Sequence, residues 1–426
     1  MVMGAERGGR DLATALAPDV LSNEIESWSR AVAGGRTPVS DKLANLFPFA
    51  PVTEHFQSRG RHNAEATAVS ALDAADRVFR STAALAEPVP PSSQWLIATW
   101  LPMLLDVHRE SCTYASYVGT HMLEGLTAGH PRELVMAALL ADLLQHESSG
   151  VSDCTRLQRR RLTALANCVL QYRPCTVDRV DLSSIWPLRK SPLHAAHEDA
   201  AIVEACRRLA GRVLASIPVR LRDVVRLMVL PVTDELDEFM FLRVLQLFET
   251  VFAGMVGNVY TARAALEADD CSSAVSELDA ARLALSRAIP LFRVLATMPP
   301  ESFARIRVMT TGASGLQSES FKRIELVAAR QPAARLGSPG YAEANVAVIV
   351  TAESGRPTID ELARRSLDPA LLSAMTDLDE EWLQWKRTHW AVASRIIGAS
   401  PGTGGTAGAA YLRHHMSGPL FPLLHD

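Results

Sequence analysis

"DEFMFLRVLQLFETVFAGMVGNV", Asp237 to Val259, is the stretch whose reading decides the fold class. Phe241, Leu245, Phe248, Phe252, Met255 and Val259 recur at alternating steps of four and three, which winds one apolar stripe down a helix. A half-buried strand would instead alternate every second residue, and such alternation is nearly absent from the chain. The segment that follows, "DDCSSAVSELDAARLALSRAIPLFRVLATMPP" (Asp269 to Pro300), opens on Asp and Ser caps and repeats Leu278, Leu285 and Phe292 every seven residues. The two stretches read as a helix hairpin, with Pro290 expected to kink its second arm because its ring clashes with the preceding turn.

Working outward, the same spacing returns in "NAEATAVSALDAADRVFRSTAALA" and "PRELVMAALLADLLQHE", both rich in Ala and Leu. A further helix is expected from about Leu378 to Ile397, ending at Gly398, with the run "DLDEEW" as its solvated start. The fold class is all-α. Residues 1 to about 23 read as frayed. "AEPVPPSSQ" (Ala86 to Gln94) reads as a proline-rich loop, and Tyr172 to Asp199, which holds three prolines, as a long irregular connection. A length of 426 residues suits two domains, and the boundary is placed near "LPVTDELDEF", giving a helical domain over 1–230 and a second over 231–426.

Composition excludes several classes of function. A net charge of −4 without a dense Lys/Arg block leaves no footprint for nucleic acid. Apolar runs such as "WLIATWLPMLL" (Trp95 to Leu105) are well short of a bilayer span, so no membrane segment is expected. Charges where a signal peptide needs an apolar core point to a cytoplasmic protein. Six scattered cysteines without a CxxC pair read as reduced thiols. His121, His130 and His146 have no metal-ligand spacing and read as structural.

Near the C-terminus, Gly402-Thr403-Gly404-Gly405-Thr406-Ala407 formally fits the dinucleotide fingerprint G-x-G-x-x-G/A. That motif needs a strand before it and a helix after it, whereas here a helix comes first and only 18 residues follow Gly408. A P-loop fails for want of Gly-Lys-Ser/Thr. Composition alone leaves a helix cap and a turn.

The stretch "DLDEEWLQWKRTHWAVASRIIGASPGTGGTAGAAYLR" (Asp377 to Arg413) resembles the haem-binding end of the tryptophan 2,3-dioxygenase family, where a W-R-x-x-H helix is followed by a G-T-G-G loop. Trp385, His389 and Gly402 to Gly405 match it, with fourteen residues from His389 to Thr403. Two further blocks agree in order: Leu295 to Glu325 resembles L-E-T-(M/L)-T-P…F-R…S-G-F-Q-S, and Asp237 to Phe252 resembles D-E-x-L-F-I-x-x-H-Q-x-x-E-L-W. The resemblance covers about Pro231 to Asp426 and does not extend to residues 1–230.

The resemblance implies a helical-bundle haem domain preceded by an additional helical domain. It makes His389 the axial haem ligand, Arg307 the clamp for a substrate carboxylate and Thr403, with Gly404, the contact for its ammonium group. Phe241, Phe292 and Phe303 fall where the family lines haem and indole, and Ser314 and Gly315 in the turn beside the pocket. A neutral imidazole suits haem iron, and a planar guanidinium suits a carboxylate. The family's distal histidine aligns with Leu245, while Gln246 and Glu249 keep its H-Q-x-x-E pattern. Leu245 cannot move a proton. Ala393 stands where a relative tethers its haem through cysteine, so a non-covalent haem b is implied. His108 and Cys112 imitate that tether outside the matching region and read as packed or surface helix residues.

The implied activity is insertion of oxygen from O2 into the ring of an aromatic amino acid, an indole being favoured, in a specialised biosynthetic role. Single-oxygen insertion, as in hydroxylation of tyrosine, and a non-catalytic haem sensor or carrier are the alternatives. A homo-oligomer is expected by the same analogy.

Overall fold

The computed structural model describes residues 16–35, 39–82, 89–149, 154–173, 196–310, 313–366, 368–402 and 406–425, and among them every regular element is a helix or a short 3-10 turn. The all-α class therefore holds. The contacts divide the chain into two compact units: 1–112 with 116–246, and Thr113–Ala115 with Leu247–Asp426. The division falls inside the continuous helix Leu236–Glu267, later than the boundary at 230/231 placed near "LPVTDELDEF" from length and pattern.

In the first unit, Pro18–Ala33 packs on Ala66–Thr82, and Arg132–Ser148 packs on both Arg156–Tyr172 and Ala196–Ser216. The reason is visible in the first pair. Leu21, Ile25 and Val32 recur on one face and are buried, as are Leu72, Ala75 and Phe79 opposite, and each large side chain so buried contributes about 1.5–3 kcal/mol. The chain is helical from Pro18, so the last part of the segment read as frayed, Pro18 to Asn23, is helix; residues 1–15 lie outside the described residues. Most of the proline-bearing connection, 174–195, lies outside them too.

Three arginines buried in this unit are each matched by acid. Arg61 pairs with Asp106, Arg161 reaches Glu147 (3.0 Å) and Asp237 (2.6 Å), and Arg243 pairs with Asp142. His108 and Cys112 lie in the turns after helix Ser93–Leu105, not on a helix, because the chain closes back there through Ser111 N–H to the Asp106 carbonyl (2.8 Å).

In the second unit, Cys271–Ala288 follows the long helix after a short turn, capped by the Asp270 carboxylate on Ser273 N–H (3.0 Å). Asn258 donates across this hairpin to Glu277 (2.7 Å). Pro290 ends the second arm instead of kinking it: the helix stops at Ala288 and a new one, Leu291–Leu295, starts after the proline. Pro369–Ile397 is the helix on which the unit converges, since Cys271–Ala288, Leu291–Leu295, Pro300–Met309 and Ala409–His415 all pack on it. It begins at an Asp368 cap, nine residues before the expected start at Leu378. "DLDEEW" is consequently mid-helix. Asp379 is buried and accepts from the Phe421 amide (3.3 Å), the Leu420 amide and His425 (2.9 Å).

The helix Leu236–Glu267 is long and apolar enough to cross a bilayer by length and composition, but 78% of its apolar window is buried inside the protein. It is a core helix.

Candidate functional site

His389 lies in the C-terminal half of Pro369–Ile397. One turn before it, Trp385 packs at 5.1 Å between ring centroids, and Phe292 lies nearly parallel to the imidazole at 5.8 Å and 20°. Behind them Phe248, Phe252, Phe321 and Trp382 complete an aromatic wall, with Phe248 at 4.9 Å from Phe292 and Phe321 at 4.7 Å from Trp382. The wall follows from spacing: Trp382, Trp385 and His389 are separated by three and four residues and so share a helix face.

Burial holds the His389 imidazole well below its usual range, at about 4, and desolvation is the sole cause. Among the described residues His389 has no hydrogen-bond or ion-pair partner, and it keeps part of its surface accessible. An uncharged ring with a free nitrogen lone pair is the form that binds a metal. Trp385 Nε1 and Ser394 Oγ, on the same helix, are also buried without a hydrogen-bond partner among the described residues. Orphaned polar atoms and flat aromatic surface beside a neutral imidazole fit a large planar group such as haem. No set of three or more His, Cys, Asp or Glu side chains able to hold a metal ion by themselves occurs among the described residues.

Phe303 and Arg307 are four residues apart on Pro300–Met309, on the face left partly accessible while Ser302 and Ile306 are buried. Arg307 Nη1 donates to the Pro401 carbonyl. This bond brings the cation against the base of the glycine-rich loop. The loop is closed there by Gly402 N–H to the Thr406 carbonyl (2.9 Å). A Cβ at Gly402 would stand 2.2 Å from Thr406 Oγ1, and Gly408 takes φ +63° where a Cβ would meet the Ser400 carbonyl at 2.3 Å. The glycines at both ends of the loop are thus required by close approach. Thr403 and Gly404 lie outside the described residues.

Past Arg307, Ala313 N–H bonds to the Thr310 carbonyl (3.1 Å), and the chain turns through Ser314 and Gly315. Ser314 is buried and its hydroxyl accepts from Leu316 N–H (3.3 Å). A Cβ added at Gly315 would meet nothing within 4 Å, so glycine there is not forced by protein packing.

Phe241 and Leu245 belong to the first unit. From Asp237 to Phe252 they are the two positions left partly exposed, four residues apart on one helix face, while Gln246 is buried with its amide donating to Val118 (2.9 Å) and Met228 (3.1 Å) carbonyls. One residue missed by sequence reasoning is Tyr114, whose hydroxyl donates to the buried Glu249 (2.9 Å). "SCTYASY" carries no motif that would have singled it out.

No protein-family model matches the chain. Among curated proteins, the chain is similar to the tryptophan 2,3-dioxygenase of Anaeromyxobacter sp. (strain K), 28% identical over 229 residues, covering 45% of this chain and 86% of that protein. It is also similar to those of Polaromonas sp. (strain JS666), 28% identical with 45% and 79% covered, and Cupriavidus necator, 26% identical with 46% and 80% covered. At 26–28% identity over about 45% of the chain, these relatives support a place in the tryptophan 2,3-dioxygenase-like superfamily.

Proposed function

We propose that the protein is a haem-dependent oxygenase that binds an aromatic amino acid, with an indole favoured, and inserts oxygen from O2 into its ring. The relatives' activity supports the reaction class. The observation that carries the substrate class is the bond from Arg307 to Pro401, which gathers a guanidinium and the glycine-rich loop in the same unit as the unpaired His389. On this reading His389 is the axial ligand, Phe292 packs beside the haem, and Arg307 and Thr403 hold the carboxylate and ammonium groups. Phe303 lines the ring's pocket, and Gly404, Ser314 and Gly315 let backbone approach the substrate closely; for Phe241 and Leu245 a lining role is what the resemblance implies.

Haem b, with Ala393 in place of a tethering cysteine, would supply the activation of dioxygen. The chain's own part is orientation and exclusion of water. The guanidinium fixes the amino-acid end, the aromatic wall keeps the imidazole dry and neutral, and Leu245 contributes shape without a proton to give or take. General-base help typically contributes ~10²–10⁴-fold, so a site with leucine there must either abstract no proton or use a group of the substrate. That restriction, with an additional N-terminal region, supports a specialised biosynthetic role.

Leu245 also favours a second reading, single-oxygen insertion into a phenol or indole. The product mass, one oxygen atom gained against two, separates the two readings.

Arg307→Leu tests the substrate class. Losing a hydrogen bond to a charged group costs about 1.5–3 kcal/mol, so kcat/KM for the amino acid falls by about one to two powers of ten while haem content stays. Equal turnover of an aromatic amino acid and its decarboxylated amine by the unaltered protein would show that there is no carboxylate clamp.

A further inference from the structure

Glu249 is buried within the second unit, and two hydroxyls donate to it. Tyr114 reaches Oε1 at 2.9 Å and Ser318 reaches the same atom at 2.6 Å. Tyr114 also donates its backbone N–H to Gln317 Oε1 at 2.7 Å. Tyr114, Glu249 and Ser318 are each about 95% buried, with 6%, 4% and 5% of their surface exposed. Burial, with the Glu249 carboxylate beside it, pushes the Tyr114 phenol well above its usual range, so it stays a donor.

The segment so gripped lies between the two functional helices. On one side the turn is tied to the Arg307 helix by Ala313 N–H on Thr310. On the other, Ser318 caps helix Glu319–Ala328 by accepting from Phe321 N–H (3.3 Å), and Phe321 packs on Trp382 and Trp385 of the His389 helix. Tyr114 comes from Thr113–Ala115, a piece of chain outside the region that resembles the dioxygenases, yet it counts with the second unit.

We infer that Tyr114 is a positioning residue: by clasping the Ser314–Ser318 turn through Glu249 and Gln317, it sets Arg307 relative to His389 and so sets substrate fit. The inference deepens the proposed oxygenase reading and rests on it for the identity of the substrate. The Tyr114 hydroxyl and amide act through the turn, and the N-terminal half of the chain thereby completes the site by one tyrosine.

The test uses the full-length, haem-loaded protein and Tyr114→Phe, which keeps the ring and the amide. Backbone amide exchange of residues 314–318 is measured together with kcat and KM for l-tryptophan. A lost hydrogen bond to a charged group speeds exchange of the turn by about 10- to 100-fold, raises KM about tenfold and leaves kcat within about twofold, with an unchanged haem spectrum. Unchanged exchange overturns the clasp; faster exchange with unchanged KM overturns its role in substrate fit. If unaltered protein neither binds nor oxidises tryptophan, the functional reading fails, and the exchange result still decides the clasp. Gln317→Leu, which removes the acceptor for the Tyr114 amide, must reproduce the faster exchange, and this second variant decides the matter should Tyr114→Phe fail to fold.

Discussion

The buried arginines of the first unit and the half-buried histidine of the second treat charge in opposite ways. Arg61, Arg161 and Arg243 are always cationic, and each is closed by a carboxylate from a distant part of the sequence. His389 has no counter-charge among the described residues, and burial keeps it neutral. A permanent charge in a dry interior must be paired, and losing one partner strands the other. An imidazole escapes by giving up its proton, and it then offers a lone pair. The first arrangement holds a fold together; the second leaves a coordination site.

Substitution at His389 has the largest expected effect on this contrast. His389→Ala should abolish haem binding, seen as loss of the Soret band after reconstitution, while the haem-free protein changes in stability by about 1 kcal/mol or less. A variant that keeps full haem occupancy and the same axial-ligand spectrum would show that His389 is not the ligand. Arg161→Met should do the reverse, costing about 3–5 kcal/mol because Glu147 and Asp237 lose their cation. Melting of the two haem-free variants side by side is the measurement, and similar losses in both would erase the distinction.

Glu325 gives a smaller, pH-dependent effect in the second unit. Burial alone would raise its carboxyl, but Lys322, Arg335 and Lys386 outweigh burial and hold it at about 2. Arg335 lies at 2.9 Å and Lys322 at 3.2 Å, with Tyr341 donating at 2.9 Å. A folded-state value below the unfolded one means that the stabilisation is present above about pH 4.5 and is lost as pH falls towards 2. Glu325→Gln should therefore lose about 1.5–3 kcal/mol at neutral pH, and the gap from the unaltered protein should close progressively between those values. A gap that stays constant in acid would mean that Glu325 is held by shape and not by charge.

Much of this was legible in local spacing. The helix over Asp237 to Val259, the Asp270 cap and the helix end at Gly398 all stand where three- and four-residue periodicity and capping chemistry put them, although Phe241 and Leu245, the first two members of the stripe, are partly exposed. The start of the His389 helix was not, because "DLDEEW" has the charge of a helix start and nothing local says that Asp379 will be buried to receive the amides of Leu420 and Phe421. Tyr114 was invisible for the same reason: its meaning comes from Glu249 and Gln317, more than a hundred residues away. His389 and Arg307 were legible only through resemblance, since a lone histidine beside tryptophan and an arginine after arginine carry no chemistry by spacing. The structure adds that burial favours the neutral form of the first, which has no partner among the described residues, and that the second already touches the loop.

Arg307 has one further consequence. A guanidinium carries five N–H donors in a rigid fork, and the Pro401 carbonyl engages only Nη1. The remaining edge can meet a carboxylate bidentately without releasing the loop. On the proposed reading, loop and ligand therefore share one cation as two legs of a thermodynamic cycle. Whatever free energy the Arg307–Pro401 contact adds to ligand binding, the bound ligand returns to that contact, and discrimination between substrates becomes a property of the backbone at Pro401 as much as of the pocket.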